Sequence, residues 1–209
     1  FTSLIIVALG RRLSLRQETL ASGAAGVAEN VDKRDLIWAI FRFTVVAEVV
    51  GALLIYLCWI PEFGWNGAAW HAVFHAVSAF CNAGFSTFTT SLMGFQAHLP
   101  LLAVVMALIV VGGLGFLTLE ELYVWRRVYA QEGRFRLSVH SQIVLATTAL
   151  LIVGGWVAFT AFEWDSTLAG MPWGQRLING LFASITPRTA GFNTIDYAKV
   201  ETETNFLTI

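Results

Sequence analysis

Long apolar runs separated by short polar joints make up most of this chain. Leu36 to Ile60 is a near-continuous apolar run of 25 residues; Leu99 to Leu119 is a second and Leu137 to Phe162 a third. Each, wound as an α-helix, is long enough to cross about 30 Å of hydrocarbon. Between them lie two shorter helical patterns, 67–80 and 174–186. The first would reach only about 21 Å, too short for an ordinary crossing and suited to a helix that enters a membrane and turns back. Each short helix runs into a polar, glycine-bearing loop, 81–90 and 187–196. The pattern therefore predicts span, re-entrant helix, loop and span over 36–119, and the same order again from 137, incomplete at 209. Residues 1–10 read as the end of a preceding helix and 205–209 as the start of another. The chain is expected to be part of a longer protein.

The punctuation agrees with this division. Pro61 and Gly64 are expected to stop the first run, and Pro100 sits where a helix tolerates proline best, in its first turn. Gly112, Gly113 and Gly115, and later Gly154 and Gly155, read first as places where helices pack closely; a hinge or a bend beside a pore is the other reading. Arg42 and Glu48 interrupt the first apolar run. Arg42 is placed to snorkel to an interface, and Glu48, deeper, needs a partner from another segment.

Composition narrows the setting. Of 209 residues, 56% are hydrophobic and 13% charged, where a soluble domain would carry about a quarter of its residues as charged. Eight tryptophans and sixteen phenylalanines suit lipid contact and membrane interfaces, with Trp59, Trp65 and Trp70 clustered as in an aromatic belt. The net charge of −1 gives no sign of a nucleic-acid partner. Cys58 and Cys81 show no metal-ligand spacing and no disulfide framework. Five Lys/Arg lie in 11–35 and four in 120–136, whereas 61–99 holds none. That asymmetry places 11–35 and 120–136 in the cytoplasm as linkers, so both short helices enter from outside a multi-pass protein of the cytoplasmic membrane.

Non-helical backbone at membrane depth is tolerated only where it is buried in protein or lines a water-filled path. Several such loops meeting on one axis present carbonyl oxygens that replace the hydration shell of an alkali cation. Ion conduction is the leading reading. A secondary carrier for another cation or small solute, using broken helices, is the alternative, and a structural or enzymatic membrane role a third. No serine elbow, phosphate-binding glycine loop or catalytic carboxylate pair is present, so the chain does not read as an enzyme.

The two loops, SAFCNAGFST at 78–87 and ITPRTAGFNTID at 185–196, share an Ala-Gly-Phe core. They resemble the second and third pore loops of the Trk/Ktr/HKT superfamily of potassium transporters, most nearly those of the bacterial Ktr-type membrane subunit. VVGGLGF at 110–116 and LGRRLSLR at 9–16 are similar to that subgroup as well. The resemblance implies an all-α membrane protein, with four helix–pore loop–helix units arranged pseudo-fourfold around one potassium path. It also implies a homodimer and a cytoplasmic nucleotide-binding regulatory ring; nucleotide would act only through that partner, and no covalent cofactor is expected. On this resemblance 1–10 ends unit one, 36–119 is unit two and 137–209 is most of unit three. The ion would meet backbone carbonyls of Asn82, Ala83 and Gly84, and of Thr189, Ala190 and Gly191. Cys81 stands where the family often has asparagine. In the family a glycine in all four loops goes with potassium preference, and a serine in the first with sodium tolerance.

Three further residues are candidates for filter support. Arg188 is expected to be buried, pairing with an acid or with loop carbonyls, ahead of reaching headgroups or repelling cations. Asp196 is its possible partner, an outer-mouth acid or simply solvated. Asn193 reads equally as a support or an ordinary loop amide. His71 and His75, one helical turn apart, could hold zinc but lack a third ligand, and packing against neighbouring helices is the better reading.

Overall fold

The computed structural model describes residues 33–116, 118–122 and 137–204, with side chains from Ile37 onward. The expected helix end at 1–10, most of both linkers and the helix start at 205–209 lie outside the described residues. The described residues are helices, turns and loops. The chain divides into two compact parts, one ending at Val46 and one running from Ala47. In the first, Trp38 and Phe41 meet edge-on at 5.8 Å, and Arg42 is exposed.

Helix α1, Lys33–Phe80, is broken at Gly64, where φ is 67° and ψ 174°. A side chain there would meet nothing within 4 Å, so glycine is required by the backbone angle and not by space. The break corrects the expected boundaries. Pro61 stays inside the helix, and the first arm runs to 63 instead of ending at 60. The second arm, 65–80, then returns alongside the first. Tyr56 Oη donates to the Trp65 carbonyl at 3.1 Å, Trp59 packs on His71 and His75, and the Cys81 thiol donates to Glu48 Oε1 at 3.8 Å. Ala68, Ala72, Ala76 and Ala79 are buried at helical spacing on the returning arm. Their small side chains form one face and let the two arms lie close.

Helix α2, Leu99–Leu114, opens with Pro100 in its first turn. The expected span to Leu119 is interrupted: Gly115 takes φ 79°, a left-handed conformation that ends the helix, and helical residues resume at 116 and 118–122. Leu101, Leu102, Val105, Met106, Leu108 and Ile109 face the core together with Ile55, Trp59 and the alanines of α1. Gly51 receives Leu108, and Gly112 lies so close to the Phe80 carbonyl that any side chain there would collide with backbone. Close packing is thus the use of Gly112.

Helix α3, Val139–Phe162, is capped by Ser138, whose hydroxyl accepts from Ser141 N at 3.2 Å. The Glu121 carboxylate accepts from the Ser138 backbone N–H and from the hydroxyls of Ser138 and Ser141. Helix α4, Trp173–Ile185, returns along α3 as the second arm of α1 returns along the first. Gly155 faces Ser184, and Gly180 faces Thr160. Ser184 Oγ donates to the Ile152 carbonyl at 2.8 Å, and Trp156 Nε1 to the Leu177 carbonyl at 2.9 Å. The turn between α3 and α4 is wound around Arg176, whose guanidinium donates to the carbonyls of Met171, Trp164 and Ala169 and lies 4.8 Å from the Trp164 ring centre.

The first arm of the 44-residue stretch Ile37–Phe80 and the 24-residue Val139–Phe162 are long and apolar enough to cross a membrane. Much of their apolar surface is uncovered: Leu150 is 73% and Leu57 62% exposed. A core helix of a soluble protein would bury that surface.

Candidate functional site

Both hairpins deliver a glycine loop to the same place, and the loops touch through backbone. A methyl group on Gly84 would stand 2.5 Å from the Ala190 carbonyl oxygen and 2.8 Å from Gly191 Cα; one on Gly191 would stand 3.3 Å from Gly84 Cα. The two triplets also repeat one backbone signature. Asn82 and Gly84 have φ of 51° and 70°, Thr189 and Gly191 of 68° and 75°, each pair flanking an alanine of negative φ. Asparagine and glycine adopt the left-handed region readily; for Thr189 it carries a strain of about 1–2 kcal/mol.

The loops begin at the frayed ends of the short helices. Cys81, Asn82 and Ala83 donate their N–H groups to the carbonyls of Val77, Ala79 and Ser78, and both Ala190 and Gly191 donate to Thr186. A hydroxyl then fixes the residue after each glycine. Ser78 Oγ donates to the Phe85 carbonyl at 2.7 Å, and Thr186 Oγ1 to the Phe192 carbonyl at 2.6 Å. Between these anchored points, the carbonyls of Asn82, Ala83, Gly84, Thr189, Ala190 and Gly191 accept no hydrogen bond among the described residues. Six carbonyls without a donor among the described residues therefore lie on the two triplets that touch at Gly84 and Gly191.

The tails of the loops are tied across the repeat. Ser91, itself at φ 53°, accepts from Asn193 N at 3.1 Å, and Leu92 N donates to the Asn193 carbonyl at 2.9 Å. The Gln96 amide donates to the Thr194 carbonyl, while the Gln96 carbonyl accepts from the buried Asn179 at 3.0 Å. Each tail then closes in a short 3-10 turn, Met93–Phe95 after the first loop and Tyr197–Lys199 after the second.

The remaining candidates take separate places. Arg188, half-buried, donates through Nη2 to the Thr148 carbonyl on α3 at 2.8 Å. This corrects the expected pairing: its acceptor is a helix carbonyl, neither an acid nor the loop. Asp196 is not its partner; one carboxylate oxygen caps Ala198 N at 3.1 Å and the other lies 3.5 Å from Lys199 Nζ. Asn193 links the loops through its backbone. Glu48 finds Cys81. His71 and His75 bond to hydroxyls of the first loop, Thr87 and Ser86 respectively. Among the described residues, no three His, Cys, Asp or Glu side chains form a metal-binding group.

Sequence reasoning missed the anchors Ser78, Thr186, Ser91, Gln96 and Asn179. A hydroxyl before each Ala-Gly-Phe was a usable signal for the first two. The last three act across 83–102 residues of chain, a distance at which the sequence carries no local signal.

Outside the loops, Glu163 at the end of α3 is fully buried. Its carboxylate accepts from Thr167 Oγ1 at 2.8 Å and Glu201 N at 3.0 Å, so it fastens the end of α3 to 201–204. Burial alone would raise its pKa, but hydrogen bonds from Thr204, Thr167 and the Glu201 backbone outweigh it and hold the carboxyl below the usual range.

The profile of the TrkH family, described as a cation transport protein, matches residues 15–209. The chain is 38% identical over 191 residues to the potassium/sodium uptake protein NtpJ of Enterococcus hirae, covering 91% of this chain and 41% of that protein. It is 37% identical over 198 residues to the Ktr system potassium uptake protein B of Vibrio alginolyticus, covering 93% and 42%. Identity to the protein of the same name from Bacillus subtilis is 28%, over 100% of this chain and 46% of that one. The chain thus spans less than half the length of these relatives. With glycine loops at the ends of paired helices and a match over nearly its whole length, the chain is a membrane protein and belongs to the TrkH family of cation transport proteins.

Proposed function

We propose that this chain supplies two walls of a potassium-selective filter in the pore-forming subunit of an uptake system. The observation that carries the reading is the set of six carbonyls, 82–84 and 189–191, left without donors among the described residues on two triplets that touch at Gly84 and Gly191. Carbonyl oxygens on a constrained backbone can replace water around an alkali cation, and no charged side chain needs to enter the path. Depth supports this. Counting back from the break at Gly64 to Glu48, where the first loop begins, gives about 24 Å of helix. Counting from Phe162 to Thr148, where Arg188 docks, gives about 21 Å, so both loops lie well inside a core about 30 Å thick.

On this reading 36–119 is one helix–pore loop–helix unit and 137–209 most of the next. Two further units complete a pseudo-fourfold ring, and the Arg-rich linkers face the cytoplasm. Potassium is cargo, driven by membrane potential and concentration gradient, with no covalent step. The subunit pairs as a homodimer and is regulated by a cytoplasmic nucleotide-binding ring, as the resemblance to Ktr-type subunits implies.

Uptake by the full-length protein in potassium-uptake-deficient cells tests the reading. Gly191→Ser is expected to lower potassium preference over sodium, because a Cβ at φ 75° displaces the carbonyls on either side. Unchanged potassium affinity and selectivity in that variant would overturn it. A midplane carrier site would instead give saturable solute exchange insensitive to this glycine.

A further inference from the structure

His75 is a side chain of the returning arm of α1 that reaches both loops. It is fully buried. Its ring lies edge-on to Trp59 at 4.9 Å and stacks on Phe88 of the first loop at 5.2 Å. It also stacks with Phe192, the neighbour of Gly191, at 6.1 Å and 28° between planes. Nδ1 is 2.8 Å from the His71 carbonyl oxygen, and Nε2 is 2.9 Å from Ser86 Oγ.

These partners fix where the protons sit. A carbonyl only accepts, so Nδ1 carries the hydrogen. In the uncharged ring Nε2 is then an acceptor, and the Ser86 hydroxyl must donate to it. The Ser86 oxygen in turn accepts from Phe88 N at 3.1 Å. The result is a directed chain from Phe88 N–H through Ser86 and His75 to the His71 carbonyl. It holds residues 86–88 just beyond Gly84, on the stretch whose other end is held by the Ser78–Phe85 bond.

We propose that His75 is a positioning residue for cation selectivity: through Ser86 it sets the Gly84 loop, and through Phe192 it keeps that loop in register with the Gly191 loop. The proposal rests on the filter reading above. A ring that bonds one loop and stacks on the other transmits any slip between them, and a cation coordinated by both sets of carbonyls is sensitive to such a slip.

The test measures potassium and sodium uptake by the full-length protein in uptake-deficient cells, with membrane abundance, apparent KM and maximal rate determined for each ion. Ser86→Ala is expected to lower the ratio of sodium KM to potassium KM by roughly fivefold, the scale of one lost hydrogen bond, at unchanged abundance. Ser86→Thr, which keeps the hydroxyl, is expected to restore most of the ratio. His75→Phe keeps the stacking and loses both hydrogen bonds, and is expected to match Ser86→Ala. A wild-type ratio in Ser86→Ala or in His75→Phe would overturn the proposal, as would equal shifts in Ser86→Ala and Ser86→Thr. Gly84→Ser separates the two levels. If it shifts the ratio while Ser86→Ala does not, the role of His75 fails and the filter stands; if neither it nor Gly191→Ser shifts the ratio, the filter itself fails.

Discussion

Three residues before its glycine, the first loop carries Cys81, a thiol 3.8 Å from Glu48; the second carries Arg188, a guanidinium 2.8 Å from the Thr148 carbonyl. Each reaches from its loop to the long helix of its own hairpin, yet one contact is weak and the other charge-assisted. The remaining supports divide the opposite way. The first loop is held by two histidines and three hydroxyls, Ser78, Ser86 and Thr87, from its own helix and loop, within the aromatic cluster of Trp59, Phe63, Phe88 and Phe95. The second meets that cluster through Phe192, which stacks on His75, and is otherwise held by Thr186, Arg188 and the cross-ties from Ser91 and Gln96. Phe85 is 70% exposed whereas its counterpart Phe192 is fully buried. The same backbone signature is therefore reached by two sets of side chains. What the repeat preserves is the conformation of the triplet and the hydroxyl bond to the residue after each glycine; the other contacts that hold the two loops differ.

The strongest way to break this comparison is to add a Cβ to each glycine in turn. Both sit at positive φ, so alanine in either place carries a left-handed penalty of about 1–2 kcal/mol. Only Gly84 has a backbone oxygen within 2.5 Å of the new atom, and overpacking against backbone adds about 1–3 kcal/mol. Gly84→Ala is expected to destabilise the full-length protein in detergent clearly more than Gly191→Ala, read as the temperature at which half the protein is lost from the monodisperse peak. Equal losses would mean that the loops are farther apart than the structure has them.

A smaller effect sharpens the contrast at the paired supports. Removing a charged hydrogen bond costs about 1.5–3 kcal/mol, whereas a thiol at 3.8 Å is a weak donor. Arg188→Gln is expected to lower thermal stability and uptake, and Cys81→Ala to change stability little. A Cys81→Ala loss as large as that of Arg188→Gln would show that the Glu48 contact is the equal of its counterpart.

These differences also mark what the sequence could and could not tell. The hairpins were legible because length, apolar runs and the Gly-bearing loops are local properties; so was the likeness of SAFCNAGFST to ITPRTAGFNTID. Pro61 and Gly64 were both expected to stop the first run; Gly64 does so, while Pro61 is accommodated inside the helix. Gly115 ended α2 within a run that apolarity alone would have carried on to Leu119. The partner of Arg188 was misjudged for a physical reason: sequence offers a cation an acid or the carbonyls of its own loop, but the Thr148 carbonyl on α3 is presented to it only by the fold. Asp196, meanwhile, is used up by its own turn. Gln96 and Asn179 could not have been read, since neither has a local pattern and each works only once the hairpins lie together.

The smallest expected effect concerns a device found between α3 and α4 and not at the turn of α1. Where α1 reverses at one glycine, the second hairpin needs a ten-residue connection, 163–172, and Glu163 ties its start to 201–204. Its folded-state pKa lies below the ordinary value of 4.5, so in acid the unfolded chain binds the proton first. The stabilisation is then whole above about pH 4.5 and is lost as the pH falls through the lower, folded value. Glu163→Gln, which keeps the shape but not the charge, is expected to cost about 1 kcal/mol at neutral pH and to leave a shallower decline in thermal stability in acid. Because this tie lies outside the loops, the potassium-to-sodium KM ratio should stay at the wild-type value. A changed ratio at normal abundance would show that the second loop takes its placement from the end of α3 as well as from Arg188, and the two hairpins would then differ in their ends as much as in their braces.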